Sequence, residues 1–100
     1  MYGLSEKTIS ALNEVFSKYS EINEVILYGS RAKGNFKNGS DIDLSVKGKD
    51  INLSLLSKIS SEIDDLLLPY MIDLSIYHEI KNNDLLEHIN RVGVSFYFKS

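Results

Sequence analysis

Three carboxylates and one glycine-serine pair carry most of the chemical information in this chain. Asp41 and Asp43 stand two residues apart in the run Asp41-Ile42-Asp43-Leu44-Ser45-Val46. Its polar-apolar alternation predicts a β-strand from Asp41 to Val46, so both carboxylates leave the sheet in the same direction. Asp73 stands in a second alternating run, Met71 to Tyr77, with Ile72, Leu74 and Ile76 on one face and Asp73, Ser75 and Tyr77 on the other. If the two strands are neighbours in matching register, all three carboxylates gather on one surface. Their mutual repulsion raises at least one pKa and opposes folding, unless a cation fills the gap. Hard oxygen donors without His or Cys suit Mg²⁺, with Mn²⁺ as the alternative. Asp41, Asp43 and Asp73 are therefore the expected metal ligands.

Gly29-Ser30 supplies the complementary half. It ends the apolar run Val25-Ile26-Leu27-Tyr28, where a glycine lets backbone approach a ligand closely. The residues that follow can offer N–H groups, the Ser30 hydroxyl and a helix N-terminus to phosphate oxygens. Arg31 and Lys33 can add charge-assisted contacts. A phosphate grip beside a carboxylate metal site is the equipment of in-line phosphoryl transfer. Metal ions there offset charge on the attacking and leaving oxygens, and a third carboxylate can help deprotonate an acceptor hydroxyl.

The elements that must hold these residues read clearly. A helix is predicted from about Ser5 to Tyr19, with Ser5 as N-cap and Ile9, Leu12, Val15, Phe16 and Tyr19 as its apolar stripe. Val25–Tyr28 is apolar on both faces and so belongs in the middle of a sheet. Residues 31–40 hold two glycines and two asparagines and read as a loop, opening with one short helical turn. A second helix spans about Asn52 to Leu67, with Leu55, Leu56, Ile59, Ile63, Leu66 and Leu67 buried and Pro69 barring continuation. A third runs from about Asn83 to Arg91 and stops at Gly93, before a short edge strand at Val94–Phe98. The order α-β-β-α-β-α-β, with strands polar on one side, predicts a two-layer α/β (α+β) fold. Its helices cover one face of the sheet and leave the acidic face open.

One hundred residues allow one small core, so residues 1–100 are read as a single domain without a second substrate-binding unit. The absence of cysteine excludes disulfides and thiolate metal sites. No apolar run reaches the ~20 residues of a membrane span, and the N-terminus lacks a secretory layout. A cytoplasmic protein without membrane attachment is expected. A net charge of −3 has the wrong sign for non-specific nucleic-acid binding. His78 and His88 read as surface or helix-end residues, and Tyr28 as a packing residue.

Gly29-Ser30, ten intervening residues and then Asp41-Ile42-Asp43 resemble the signature of the DNA polymerase beta-type nucleotidyltransferases. Within that superfamily the chain looks like the minimal nucleotidyltransferases (MNT). The resemblance extends through Tyr28-Gly29-Ser30-Arg31-Ala32-Lys33-Gly34, Ser40-Asp41-Ile42-Asp43-Leu44, Ile72-Asp73-Leu74 and His88-Ile89-Asn90-Arg91-Val92-Gly93. It implies a mixed sheet of the nucleotidyltransferase fold, with Gly29 and Ser30 holding the triphosphate of ATP or another NTP. Arg31 and Lys33 would assist. Asp41 and Asp43 would bind a two-ion magnesium site, and Asp73 would be the third catalytic carboxylate.

The same resemblance implies a partner, a small helical HEPN-type toxin adenylylated on a tyrosine hydroxyl, with this chain as antitoxin. The size of the chain agrees, since an open face without a second domain leaves the acceptor pocket incomplete. A catalytically silent antitoxin module of the same fold is the alternative. An Asp-x-Asp phosphatase is disfavoured because the motif follows Asn38-Gly39-Ser40 instead of a buried strand. Antibiotic modification and RNA tailing are disfavoured because the helical domain that would shape such acceptor sites is missing.

Overall fold

The computed structural model describes residues 1–99. Helix α1 (Glu6–Ser17) begins where the Ser5 side chain accepts a hydrogen bond from Thr8 N at 3.1 Å. Strand β1 (Ile22–Tyr28) follows, then the single-turn helix α2 (Ser30–Lys33) and strand β2 (Ile42–Gly48). Helix α3 (Leu53–Asp64) is capped by Asn52, whose side chain accepts from Leu55 N at 2.9 Å. Strand β3 (Ile72–Ile76) runs through a 3-10 turn (Tyr77–Glu79) towards helix α4 (Asn83–Val92), and strand β4 (Val94–Phe98) closes the order. Every expected element is present, including the edge strand and the turn after Gly29-Ser30.

The strands form one mixed sheet in the order β3-β2-β1-β4. β1 is antiparallel to β2 and β4, while β2 and β3 are parallel. β1 is therefore internal, as its apolar run demands. Leu12, Val15 and Phe16 of α1 and Ile59 and Ile63 of α3 pack against Val25, Leu27, Ile42, Leu44 and Val46. Each large side chain buried there contributes roughly 1.5–3 kcal/mol, so this face is the principal core.

Two expectations need correction. α3 ends at Asp64 instead of Leu67, and Leu67 is 88% exposed in a left-handed conformation (φ 54°). The chain must turn there to reach Pro69 and β3, which takes Leu67 out of the apolar stripe. Secondly, the acidic face is narrower than strand alternation implies. α4 lies over its β1 portion, where Ile89 packs with Ile26 and Tyr28. What stays open is the portion over β2 and β3. Among the described residues no helix is long and apolar enough to cross a membrane.

Candidate active site

The parallel pairing of β2 with β3 sets Asp43 directly beside Asp73, in the register Ile42↔Ile72, Asp43↔Asp73, Leu44↔Leu74. The antiparallel pairing on the other side sets Tyr28 beside Asp43. Because Gly29 follows Tyr28, the glycine-serine turn emerges at the same end of the sheet as the acids. Gly29 has φ 78°, and a Cβ placed on it would collide with Oδ2 of Asp43. The turn and the carboxylate are thus in van der Waals contact, and only glycine allows it.

Asp41 and Asp73 are exposed and Asp43 is half-buried. Burial raises the Asp43 pKa above its ordinary value, and the neighbouring charges of Asp73 and Asp41 raise it further, while His88 opposes them. Neither ion pair among the described residues, Lys18–Glu62 or Arg91–Glu87, involves the three acids. They form an uncompensated negative surface. Among the described residues no group of three acidic or histidine side chains converges closely enough to make a ready ion cage. The donor chemistry nonetheless fits magnesium, which is commonly held by one or two carboxylates plus substrate phosphates and water.

Below the acids the same face changes character. Ser75 Oγ donates to Ser45 Oγ at 3.1 Å, and on the next rung Lys47 Nζ lies 4.4 Å from the Tyr77 ring centroid. Tyr77 in turn donates its hydroxyl to Asn90 Oδ1 at 2.7 Å, tying this edge to α4. Tyr28 is buried against Ile26 and Ile89, the packing role its position predicts. Burial and the charges of Asp73 and Asp43 raise its hydroxyl pKa, partly offset by a hydrogen bond with Ser75.

On the grip side, the first hydrogen bond of α2 runs from Lys33 N to Gly29 O at 3.1 Å. The amides of Ser30 and Arg31 precede that bond and have no intrahelical partner. Ser30 is half-buried at the head of this turn. Lys33 is exposed at its end and makes no ion pair among the described residues.

The structure does not bring the Arg31 side chain to the expected phosphate grip at Gly29-Ser30. Its side chain is 3% exposed, and its guanidinium donates to Ser40 O (Nε, 3.1 Å; Nη2, 2.9 Å) and Tyr2 O (Nη1, 2.9 Å). Carbonyls and aromatic rings near the loop outcompete open solvent for its planar cation.

His88 is the residue that sequence reasoning missed. It is not a surface side chain: its Nε2 accepts from Gly29 N at 3.2 Å, and its ring meets Tyr28 edge-on with centroids 6.2 Å apart. The available signal was helical spacing. Leu85, His88, Ile89 and Val92 share one face of α4, and that face lies on β1.

Residues 10–100 match the family described as "Polymerase beta, Nucleotidyltransferase", and the chain belongs to that family of nucleotidyltransferases. Similar solved structures narrow the fold further. One is a toxin-antitoxin crystal structure with AMP-PNP, at TM-score 0.72 and 19% identity, covering 97% of this chain and 76% of that one. A second is the tri-AMPylated Shewanella oneidensis HEPN toxin in complex with MNT antitoxin, at TM-score 0.69 and 14% identity, covering 99% and 74%. A third is a nucleotidyltransferase, so described without established activity, from Sulfolobus solfataricus, at TM-score 0.55 and 20% identity, covering 97% and 92%. Among curated proteins none matches significantly.

Proposed function

We propose that the chain transfers a nucleoside monophosphate, AMP from ATP, to a tyrosine hydroxyl of a small helical HEPN-type toxin, and so acts as its antitoxin. The observation that carries this reading is the in-register pair Asp43 and Asp73, with Asp43 in contact with Gly29 of the glycine-serine turn. Similarity to a toxin-antitoxin with AMP-PNP and to a tri-AMPylated HEPN toxin with its MNT antitoxin supports the nucleotide and the partner.

In this mechanism Ser30 and the leading amides of α2 bind the triphosphate. Asp41, Asp43 and Asp73 would hold divalent magnesium, which when bound neutralises charge on the reacting phosphate oxygens. The acceptor oxygen forms a bond to the α-phosphorus as the α–β anhydride breaks, and pyrophosphate leaves. Asp73, the more exposed of the paired carboxylates, takes the hydroxyl proton. The polar face over β2 and β3 stays open, so the partner itself must complete the acceptor pocket and exclude water.

The test is incubation with Mg²⁺, ATP labelled at the α-phosphate and the partner toxin. Label is expected on the partner and lost in Asp41→Asn. A second reading, a stoichiometric antitoxin without turnover, draws on the lack of a three-way carboxylate cage among the described residues. If Asp41→Asn neutralises the toxin as fully as the parent protein, that second reading replaces the first.

A further inference from the structure

We propose that Arg31 is the positioning residue that holds the phosphate grip and the metal-binding carboxylates at a fixed separation. The inference rests on the nucleotidyl-transfer reading above and adds a role for a residue outside the reacting groups. Arg31 is covalently next to Ser30 in the grip. Two of its guanidinium nitrogens converge on the carbonyl of Ser40, the residue before Asp41. The eight residues between α2 and β2, 34–41, are thereby closed across their ends by one side chain. Most of that loop is exposed, and its backbone bonds are local: Gly34 N and Asn35 N to Ser30 O at 3.0 and 3.2 Å, and Ser40 N to Lys37 O at 3.0 Å, none of which joins the Ser40 end to α2.

The third segment is reached by stacking. The guanidinium carbon lies 5.0 Å from the Tyr70 ring centroid and 5.1 Å from that of Phe36. Tyr70 precedes Met71, whose carbonyl accepts from Ile42 N at 2.9 Å at the head of the β2–β3 pairing. One cation therefore touches the approaches to Ser30, Asp41 and Asp73 together. The N-terminal segment is shaped for the same cation. Tyr2 adopts φ 59°, unusual for a non-glycine residue, and its carbonyl takes the remaining guanidinium bond at 2.9 Å. At Gly3, φ 72°, a Cβ would press into Phe36 and Arg31.

Lysine cannot reproduce this arrangement, because an ammonium lacks the planar fork and the stacking surface. Arg31→Lys is expected to remain folded, to lower kcat about 100-fold and to leave KM for ATP within about threefold, because displacement of reacting groups by ~1 Å acts on the chemical step. Amide hydrogen exchange at residues 40–43 is expected to accelerate in the same variant. Wild-type kcat with unchanged exchange, or a kcat loss matched by the loss of folded protein, overturns the inference. Should Arg31→Lys not fold, Phe36→Leu keeps all three hydrogen bonds and removes one stacking ring. A kcat fall of about fivefold then supports the inference, on the same positional scale, and an unchanged kcat overturns it. If the parent protein shows no transfer, the nucleotidyl-transfer reading fails, while the exchange data still decide whether Arg31 fixes the loop.

Discussion

Under α1 and α3, Leu12, Phe16, Ile42, Leu44 and Ile59 are fully buried, whereas on the opposite face burial stops halfway across the sheet. There Ile26 and Tyr28 are covered by Ile89 of α4, the adjoining Asp43 is half-buried and Asp73 is left to solvent. The contrast comes from one strand alternation applied to different neighbours. A continuous apolar layer gathers two long helices and becomes the core. A layer that is apolar on β1 and acidic on β2 and β3 gathers one helix and remains half open. The boundary between covered and uncovered halves runs along the Tyr28↔Asp43 pairing, which is where the glycine-serine turn emerges.

Truncation on each side of the sheet breaks this comparison most severely. Phe16→Ala is expected to cost about 3–5 kcal/mol, while Ile89→Ala, in the smaller cluster beside open space, falls near 2 kcal/mol, at the low end for such truncations. Urea unfolding measures both, and equal costs would mean that α4 seals its half as tightly as α1 and α3 seal theirs.

Gly29→Ala tests the boundary itself. A methyl group would meet the Asp43 carboxylate at a positive φ, so a loss of roughly 1–3 kcal/mol is expected. Thermal unfolding alongside nucleotide binding would check it, and binding should fall more steeply than stability.

The smallest effect has the opposite sign. The Asp43 pKa is raised in the folded protein by burial and by Asp73 and Asp41. Whatever favourable contribution the protonated carboxyl makes is complete below its ordinary value of 3.8 and is lost as pH rises through the higher folded value. Asp43→Asn should therefore gain stability over the parent at neutral pH without divalent cations, and the advantage should vanish towards acid. Melting temperatures across pH would show this, and a variant less stable at pH 7 would remove the account of a carboxylate opposed by burial and by neighbouring charge.

Much of this division was legible in the residues. The alternation of 41–46 and 71–77 put three acids on one surface, and the apolar run 25–28 made β1 internal. The shared phase of the two strands put Asp43 and Asp73 on one face, while their direct pairing comes from the parallel register. Other features depend on contacts that no local pattern encodes. The amphipathic spacing of 83–92 marks a helix without saying which face of the sheet it covers, so the covered half and His88 were both missed. Arg31 beside a phosphate grip looks like an anion ligand. Its actual partners, Phe36, Ser40, Tyr70 and Tyr2, lie up to 39 positions away, and burial among them turned it from the site (Tyr70 being the farthest in sequence). Leu67 obeyed helical spacing until the chain had to reverse.

The most direct measurement is a titration with ATP and Mg²⁺, followed through the backbone amide resonances of the folded protein. A pocket built by the contact between Gly29 and Asp43 predicts the largest shifts at Gly29, Ser30, Asp41, Asp43 and Asp73, with Asp43→Asn abolishing them. Shifts confined to other surfaces, or none at all at millimolar nucleotide and magnesium, would contradict it.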